Sequence, residues 1–377
     1  MHGRTSSLQE VVNSAKGVRE LVLVNRTRNK YTDARLPATL FRCTSLTKLY
    51  LGLWWFPETA TLQRNAAFPY LQEVGLCCLV MKAQDFAFLL DRCPILEKLL
   101  IVQSGSPVCL RIQSHSLRCV QVCSSTVAEI TVDNFSLLER LLLWETKCHG
   151  GLTKVKIGHA PKLRFLGLLV PGMHQLEIGN TIIKHGTKPG PSTIVPSVQM
   201  LAIQVKLGTR TEARMLPSVL KCFPNVKTLY IQSDNDDIKS RGPQSGGPSK
   251  INLKFWEDAG CIECIQRHMK KVVFRDFRGK RSELDFLSFI AGRAQVLEKM
   301  EILLAPGSST SDRLDSKLRT HMAYAKWANG CCELIVSQTP IRPFQEGIPW
   351  CYRRAFDLSN QDPFDVSKCV DGKCLSH

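Results

Sequence analysis

The amino-acid sequence predicts an α/β solenoid, a chain of short repeats whose strands stack side by side in a parallel sheet. Three observations predict it. An apolar frame of the form L-x-x-L-x-L, with Val, Ile, Met or Phe also allowed, recurs eleven times in 377 residues. Eight of the ten steps between successive frames are 21 to 28 residues long. The segments between frames show the patterns of helices or of short strands.

The frames share a strand-like alternation at their second and third apolar positions, which places those two side chains on one face. One such strand cannot bury its face alone, but stacked neighbours form a continuous core. The frames begin at Val18, Leu46, Leu71, Leu96, Leu117, Leu138, Leu163, Val198, Val226, Met269 and Leu297. Their spacing is typical of leucine-rich repeats. The prediction is therefore an irregular leucine-rich-repeat solenoid with the parallel sheet on its concave face.

The return segments predict what lies on the convex face. Residues 83–93, 211–222 and 284–294 place apolar side chains at helical spacing and predict helices. The 21-residue repeats between 114 and 159 leave no room for a helix. Their alternating runs, "VAEITV" and "LTKVKI", predict short β returns. We expect helices towards the ends of the array and β returns in its middle.

Two breaks interrupt the frames. Residues 179–196 are rich in Gly, Pro, Ser and Thr and predict a long loop. Residues 233–250 are polar and rich in Gly and Pro, which predicts a flexible loop and a boundary. The expected organisation is a repeat array at 1–232, this flexible loop, a C-terminal region continuing the array at 251–337, and a tail at 338–377.

Composition narrows the functional classes. Lys and Arg number 50 against 33 for Asp and Glu, a net charge of +17. The basic residues are scattered and lack the interleaved aromatics of nucleic-acid-binding sheets, which disfavours nucleic acid and favours an acidic protein partner. The sequence shows no secretory leader and no apolar run long enough to cross a bilayer. We expect a protein of the cytoplasm or nucleus with no membrane contact.

The 16 cysteines are expected to be reduced thiols. Cys43, Cys93 and Cys222 precede predicted strands and are interpreted as small core residues. Cys261 and Cys264, followed by His268, have C-x-x-C-x-x-x-H spacing, but a zinc site needs a fourth ligand. A helix there would place both thiols on one buried face, and we favour that interpretation. The sequence contains none of the phosphate-binding, nucleophile-elbow or H-E-x-x-H motifs, so it predicts neither an enzyme nor a cofactor.

Specific motifs give the chain a resemblance. The entries "FPYLQEVGL", "CPILEKLLI" and "FPNVKTLYI" and the stretch 268–304 resemble plant F-box/leucine-rich-repeat proteins of the grass type, which close with an FBD region. The FBD-like signature residues are Phe277, Gly279, Glu283, Leu284, Phe286, Ala294, Val296, Leu297, Glu298, Lys299 and Met300. The tail resembles the closing R-x-x-D-x-S-x-x-D-P-F of that set at Arg354, Asp357, Ser359, Asp362, Pro363 and Phe364. Region 251–337 is therefore expected to be FBD-like.

The resemblance implies a substrate receptor of an SCF-type ubiquitin ligase, in which an N-terminal F-box docks on Skp1 and the repeats present the target. The first frame here starts at Val18, and no F-box helix entry is found in the sequence. We expect the recognition half without the F-box, so that Skp1 binds only if an F-box exists upstream.

The concave face is the predicted binding surface, with an apolar floor and a basic flank suited to an acidic or amphipathic protein target. The candidate residues are Lys48, Tyr50, Lys98, Leu100, Arg140, Trp144, Tyr230, Lys271, Arg275 and Lys299. Aromatic residues are favoured because they dominate binding hot spots. Two alternatives stay open. Large aliphatics such as Leu100 and Leu142 could instead pack against neighbouring repeats or a covering tail. The whole array could also be a stand-alone basic surface for nucleic acid or another acidic partner.

Overall fold

A computed structural model describes residues 17–25, 35–59, 62, 66–106, 109–234, 251–305, 311–338, 351–365, 369–370 and 373–374. The chain divides into two compact units. The first contains Met1–Leu163, Gln175–Gly179 and Tyr352–Gln361, and the second contains Arg164–His174, Asn180–Cys351 and Asp362–His377. Most of the loop expected at 233–250 lies outside the described residues.

The first unit contains six parallel strands, and neighbouring strands follow each other along the repeats. Its strands are β1 (Glu20–Val24), β2 (Lys48–Gly52), β3 (Glu73–Cys77), β4 (Lys98–Val102), β6 (Cys119–Cys123) and β8 (Arg140–Trp144). Every strand falls on a predicted frame, and the frame residues face the core. Leu49, Val74 and Leu99, for example, are each no more than 1% exposed. The predicted solenoid class is confirmed.

A second parallel sheet forms the returns of the first unit. Its strands are β5 (Cys109–Ile112), β7 (Glu129–Val132), β9 (Thr153–Ile157) and β11 (His174–Ile178). Of β11, the residues from Gln175 onward belong to the first unit. The two predicted β returns correspond to β7 and β9, whereas β5 and β11 lie outside the range where returns were expected. The predicted helix at 83–93 is α1 (Ala83–Asp91), and a 3-10 helix spans Ala38–Arg42.

The ends of the strands in the first unit share an unusual backbone conformation. Five non-glycine residues that directly follow β2, β3, β4, β6 and β8 have positive φ angles: Leu53 (62°), Cys78 (49°), Gln103 (49°), Ser124 (46°) and Glu145 (50°). The first four donate their backbone N–H to the last carbonyl of the next strand in the sheet. The left-handed turn thus extends each ladder by one hydrogen bond and ends the strand.

The second unit contains another six strands of a parallel sheet, which pair in the order of the chain. Its strands are β10 (Phe165–Leu169), β13 (Met200–Val205), β14 (Thr228–Ser233), β15 (Lys271–Phe277), β16 (Lys299–Leu304) and β17 (Glu333–Gln338). Short strands β12 (Thr181–Ile182), β18 (Cys369–Val370) and β19 (Lys373–Cys374) and a 3-10 helix at Pro191–Thr193 complete its extended elements. The first five strands of the sheet match predicted frames, and β17 ends one residue beyond the expected boundary at 337.

Helices form the returns of the second unit. They are α2 (Arg210–Ala213), α3 (Met215–Lys221), α4 (Leu253–Glu257), a π-helix at Cys264–His268, α5 (Arg281–Arg293) and α6 (Ser311–Ala323). The single helix predicted at 211–222 is broken at Arg214, because the ring of Pro217 is incompatible with a continuous helix through the carbonyl of Ala213, four residues earlier. A further helix, α7 (Tyr352–Phe356), belongs to the first unit.

The turn from β15 into α5 explains several FBD-like signature residues. Gly279 has a φ of +70°, and a Cβ there would lie 2.7 Å from Leu314. The fully buried carboxylate of Glu283 accepts hydrogen bonds from the Ser233 hydroxyl (2.6 Å) and from the backbone N–H groups of Arg278 (3.0 Å) and Lys280 (2.9 Å). A buried carboxylate is tolerated when its lone pairs are satisfied in this way. The signature residues therefore shape the fold of this repeat.

The cysteine interpretation holds in part. Cys43, Cys93 and Cys222 are buried, and burial raises the pKa of the Cys93 and Cys222 thiols to about 12. The shared buried face expected for Cys261 and Cys264 is wrong. Cys264 is buried but Cys261 is exposed, because the helix begins only at Cys264.

Candidate peptide-binding surface

Strand alternation directs every second side chain of the first unit's sheet away from its core, in three rows across the strands. The first row contains Glu20, Lys48, Glu73, Lys98, Cys119 and Arg140. The second contains Val22, Tyr50, Gly75, Leu100, Gln121 and Leu142. The third contains Val24, Gly52, Cys77, Val102, Cys123 and Trp144. We refer to these rows as the concave face of the first unit. The corresponding outward rows of the second unit's strands, which include Tyr230 and Arg275, are the concave face of that unit.

The four predicted lysines all have acidic neighbours. The Nζ of Lys48 lies 2.6 Å from Glu20, and that of Lys98 lies 3.5 Å from Glu73. In the second unit, Lys271 and Lys299 both pair with Glu301, at 3.0 and 2.8 Å. Burial alone would raise the pKa of Glu301, but hydrogen bonds from Lys299 and Lys271 outweigh it and lower that pKa. The predicted basic flank is therefore charge-compensated at these lysines.

Three predicted residues of the first unit, Tyr50, Leu100 and Trp144, pack against the strands of the sheet. The Tyr50 ring lies over Gly75, whose missing side chain makes room for it, and its hydroxyl donates to Glu73. Leu100 and Trp144 are both buried, each 8% exposed. Leu142 is fully buried as well. Burial of the two leucines agrees with the alternative that large aliphatics pack inside the molecule.

A segment of the C-terminal tail lies on the concave face of the first unit. It consists of α7 and the turn that follows, up to Asn360. Ala355 and Phe356 are buried, and the Lys98 ammonium lies 6.0 Å from the centre of the Phe356 ring. The side-chain amide of Gln121 donates to the carbonyl of Tyr352 at 3.1 Å. The tail is thus one occupant of the predicted binding surface.

Arg140 makes the densest set of polar contacts with this segment. Its guanidinium, 1% exposed, donates to the carbonyls of Ala355 and Asp357 at 2.8 Å each and to the carbonyl of Asn360. The last carbonyls of a helix lack intrahelical donors, and a cation is favoured beside them. Arg140 supplies both the donors and the charge, so we call these contacts the Arg140 clamp.

The bound segment is also ordered by its own hydrogen bonds. The Asp357 carboxylate accepts from the Ser359 N–H (3.0 Å) and hydroxyl (2.6 Å), and the Asn360 N–H donates to the Asp357 carbonyl (3.0 Å). The Ser359 hydrogen bonds, helped by the charges of Arg140 and Lys98, hold the pKa of Asp357 below its usual value. The turn therefore presents its carbonyls to Arg140 in a fixed arrangement.

The second unit binds the next part of the tail with different chemistry. The Tyr230 hydroxyl donates to the Asp362 carboxylate at 2.6 Å, and Arg275 donates to the carbonyl of Phe364. The Tyr230 ring lies 5.5 Å from the Phe364 ring and 4.8 Å from the Arg275 guanidinium. Burial, reinforced by the charge of Asp362, raises the pKa of Tyr230 well above its usual value. We call these contacts the Tyr230–Arg275 clamp.

The predicted site residues thus separate into three groups. Lys98, Arg140, Tyr230 and Arg275 contact the tail; Lys48, Lys271 and Lys299 form ion pairs; and Tyr50, Leu100 and Trp144 lie in the sheet surface. The sequence analysis did not select Gln121, and it considered a covering tail only as an alternative for the large aliphatics. The available signal was the closing motif, of which Asp357, Ser359, Asp362 and Phe364 all make contacts described above. Binding of a separate partner at these residues stays a prediction.

Three further features of the described residues concern metals, catalytic groups and membranes. Within the described ranges, no group of three or more His, Cys, Asp or Glu residues is arranged to hold a metal ion. Ser288 and His321 share a hydrogen bond of 2.9 Å, which joins α5 to α6, while nearby Asp285 is bound by Arg281. Of the helices that the structure describes, none is long and apolar enough to cross a membrane.

Parallel strands that present a concave face, with helices and short strands behind them, define a leucine-rich-repeat protein. A family model described as "FBD-associated F-box protein At5g56370, LRR repeats" matches residues 11–231, and one described as "FBD" matches residues 257–302. The first match covers more than half of the chain, so the chain belongs to the leucine-rich-repeat family of FBD-associated F-box proteins. The resemblance in repeats and FBD region is confirmed, and it indicates a role in protein interaction. No curated protein matches the chain.

Proposed function

We propose that the chain is the target-recognition part of an SCF-type ubiquitin-ligase receptor and that its concave faces bind segments of protein targets. The main support is that both concave faces hold a segment of polypeptide through buried Arg and Tyr side chains. Such a receptor acts in the cytoplasm or nucleus, needs no catalytic residue of its own, and contacts Skp1 through an F-box joined upstream.

A protein target fits this surface better than nucleic acid does. Phosphate binding requires cations that are free to replace counterions. Here Lys48, Lys98, Lys271 and Lys299 pair with glutamates, and these carboxylates would repel phosphates. Arg140 and Arg275 are buried and donate to backbone carbonyls. The net charge of +17 keeps nucleic acid as the alternative to be tested.

Site-specific photo-crosslinking tests the proposal in cells. A photoreactive side chain at Tyr50, which is half-buried on the concave face, should capture a target, whereas the same group at Lys154, exposed on β9, should not. The captured protein should lose ubiquitin and accumulate when the receptor is depleted. Equal capture at both positions, or no change in the abundance of the captured protein, would contradict the proposal.

Two binding measurements complete the test. A filter-binding titration with RNA and DNA should give weak binding, and tight binding that falls steeply with salt would favour the nucleic-acid alternative. Purified Skp1 should bind a version of the chain extended by an F-box and should not bind this chain alone. A stoichiometric complex of Skp1 with the chain alone would contradict the second expectation.

A further inference from the structure

The Arg140 clamp recognises the backbone of the bound segment. The guanidinium of Arg140 donates to three carbonyls, and the Gln121 amide donates to a fourth, that of Tyr352. Carbonyl groups are common to all residues, so these hydrogen bonds select a shape, the end of a helical turn, over a particular sequence. Another protein segment with that shape can satisfy the same donors.

Two side chains of the bound segment add a limited sequence requirement. Ala355 is fully buried, so this position admits a small side chain. Phe356 is buried beside Lys98, so this position admits an aromatic ring. A fitting segment therefore ends its helical turn with a small residue followed by an aromatic residue.

Of the other seven residues of the segment, three are exposed and four are half-buried. Arg353, Asp357 and Ser359 are exposed, and the segment orders its own turn through the Asp357 carboxylate. One engaged side and internal order are features of a bound peptide that is preorganised for its site. A core element of a repeat, such as β4 with three buried residues out of five, contributes apolar side chains instead.

We propose that residues 352–360 are a built-in, exchangeable ligand of the first unit's concave face, and that partner proteins bind there with a helical turn ending in a small–aromatic pair. The resident segment then lowers the apparent affinity for partners, because they bind only the fraction of molecules in which the segment has left. The identity of such partners as ubiquitylation targets rests on the proposed function, whereas exchange of the segment does not.

The test uses the full chain with a protease recognition sequence placed between Gln338 and Cys351. After folding, cleavage leaves the C-terminal fragment held by non-covalent contacts alone. A fluorescent synthetic peptide covering 351–361 then serves as the probe, and its exchange into the cleaved protein is followed by anisotropy. We expect saturable binding, and we expect the peptide with Ala355→Glu not to bind.

Matched variants assign the binding to the clamp. Arg140→Gln should weaken the peptide roughly 30-fold, because the charge-assisted hydrogen bonds are lost. Arg118→Gln is the control, since Arg118 lies in the same unit and donates to Glu139 at 2.6 Å. It should leave the dissociation constant within about two-fold of that of the cleaved protein, as expected for a partly exposed ion pair.

Each result decides between a ligand and a structural element. If the peptide fails to exchange, or if release of the fragment unfolds the first unit, the segment is part of the fold and the inference is overturned. Equal weakening by Arg140→Gln and Arg118→Gln would overturn it as well. Peptide exchange without capture of any target at Tyr50 would overturn the proposed function and leave this inference standing.

Discussion

The Arg140 clamp and the Tyr230–Arg275 clamp bind consecutive parts of one tail in different ways. The Arg140 clamp donates to backbone carbonyls, and the face around it accommodates a small residue, Ala355, and an aromatic ring, Phe356. The Tyr230–Arg275 clamp contacts the Asp362 carboxylate and the Phe364 ring as well as one carbonyl. The same strand scaffold thus supports shape recognition in one unit and side-chain recognition in the other.

The largest expected loss of docking stability is at the Tyr230–Arg275 clamp of the second unit. Phe364→Ala removes a ring that is 2% exposed and packed against Tyr230. Loss of a buried Phe costs about 3 to 4 kcal/mol. Hydrogen exchange should show protection lost at residues 362–365 and retained at 355–360. Loss of protection over both stretches would mean that the two clamps act together, which would contradict their separation into two modes of binding.

The next largest loss of docking stability is expected at the Arg140 clamp of the first unit. Arg140→Gln leaves buried carbonyls without their donors, which should destabilise the docked segment by about 2 to 3 kcal/mol. The amide of Asn360, which bonds within the turn, should exchange faster. Arg118→Gln is the control and should change its exchange little. An unchanged Asn360 amide in Arg140→Gln would contradict the role assigned to the guanidinium.

A smaller effect separates the hydrogen bond of Tyr230 from its ring. Tyr230→Phe keeps the ring beside Phe364 and removes the hydrogen bond to Asp362, which should cost about 1.5 kcal/mol. Exchange at 362–365 should quicken less than in Phe364→Ala. If the two variants behave alike, the hydroxyl rather than ring packing dominates this clamp.

Docking at the two clamps should respond to pH in opposite directions. The lowered pKa of Asp357 supports docking of its turn while the carboxyl is ionised, so this support is lost as the pH falls below about 4. The raised pKa of Tyr230 supports docking while the phenol is protonated, so that support is full below about pH 10 and lost above it. Hydrogen exchange should therefore show weaker docking of residues 355–360 at acid pH. It should show weaker docking of residues 362–365 at alkaline pH. Asp357→Asn and Tyr230→Phe should each remove one of the two transitions.

The sequence predicted the repeat scaffold well because the frame that defines each strand is local. All eleven frames lie at strands, and the two predicted β returns are present. The strand β17 was missed because Cys331 occupies the first apolar position of its frame. β5 was also missed, although Leu110 and Ile112 alternate with the exposed Arg111 just as the residues of β7 alternate.

The site was predicted less completely because its contacts are distant along the chain. Arg140 and Asp357 are separated by 217 positions, and no local pattern connects them. Concave positions could be read from the frames, which assigned Arg140, Tyr230 and Arg275 to that face of the strands. Their burial depends on the tail, whose placement the repeat pattern does not encode. The glutamates beside the lysines lie on neighbouring strands and emerge only when the strands are aligned.

The left-handed residues that follow five strands of the first unit bear on how such a repeat protein could diversify. Holding a non-glycine residue in that conformation costs on the order of 1 kcal/mol. Leu53, Cys78, Gln103, Ser124 and Glu145 nevertheless carry full side chains, and some of these contact each other, as Ser124 does with Glu145 at 3.0 Å. The main-chain hydrogen bonds of the first four end their strands whatever the side chain is. A library randomised at these five positions would therefore vary the rim of the solenoid while leaving its strand register intact, and many members would gain stability through Asn or Gly.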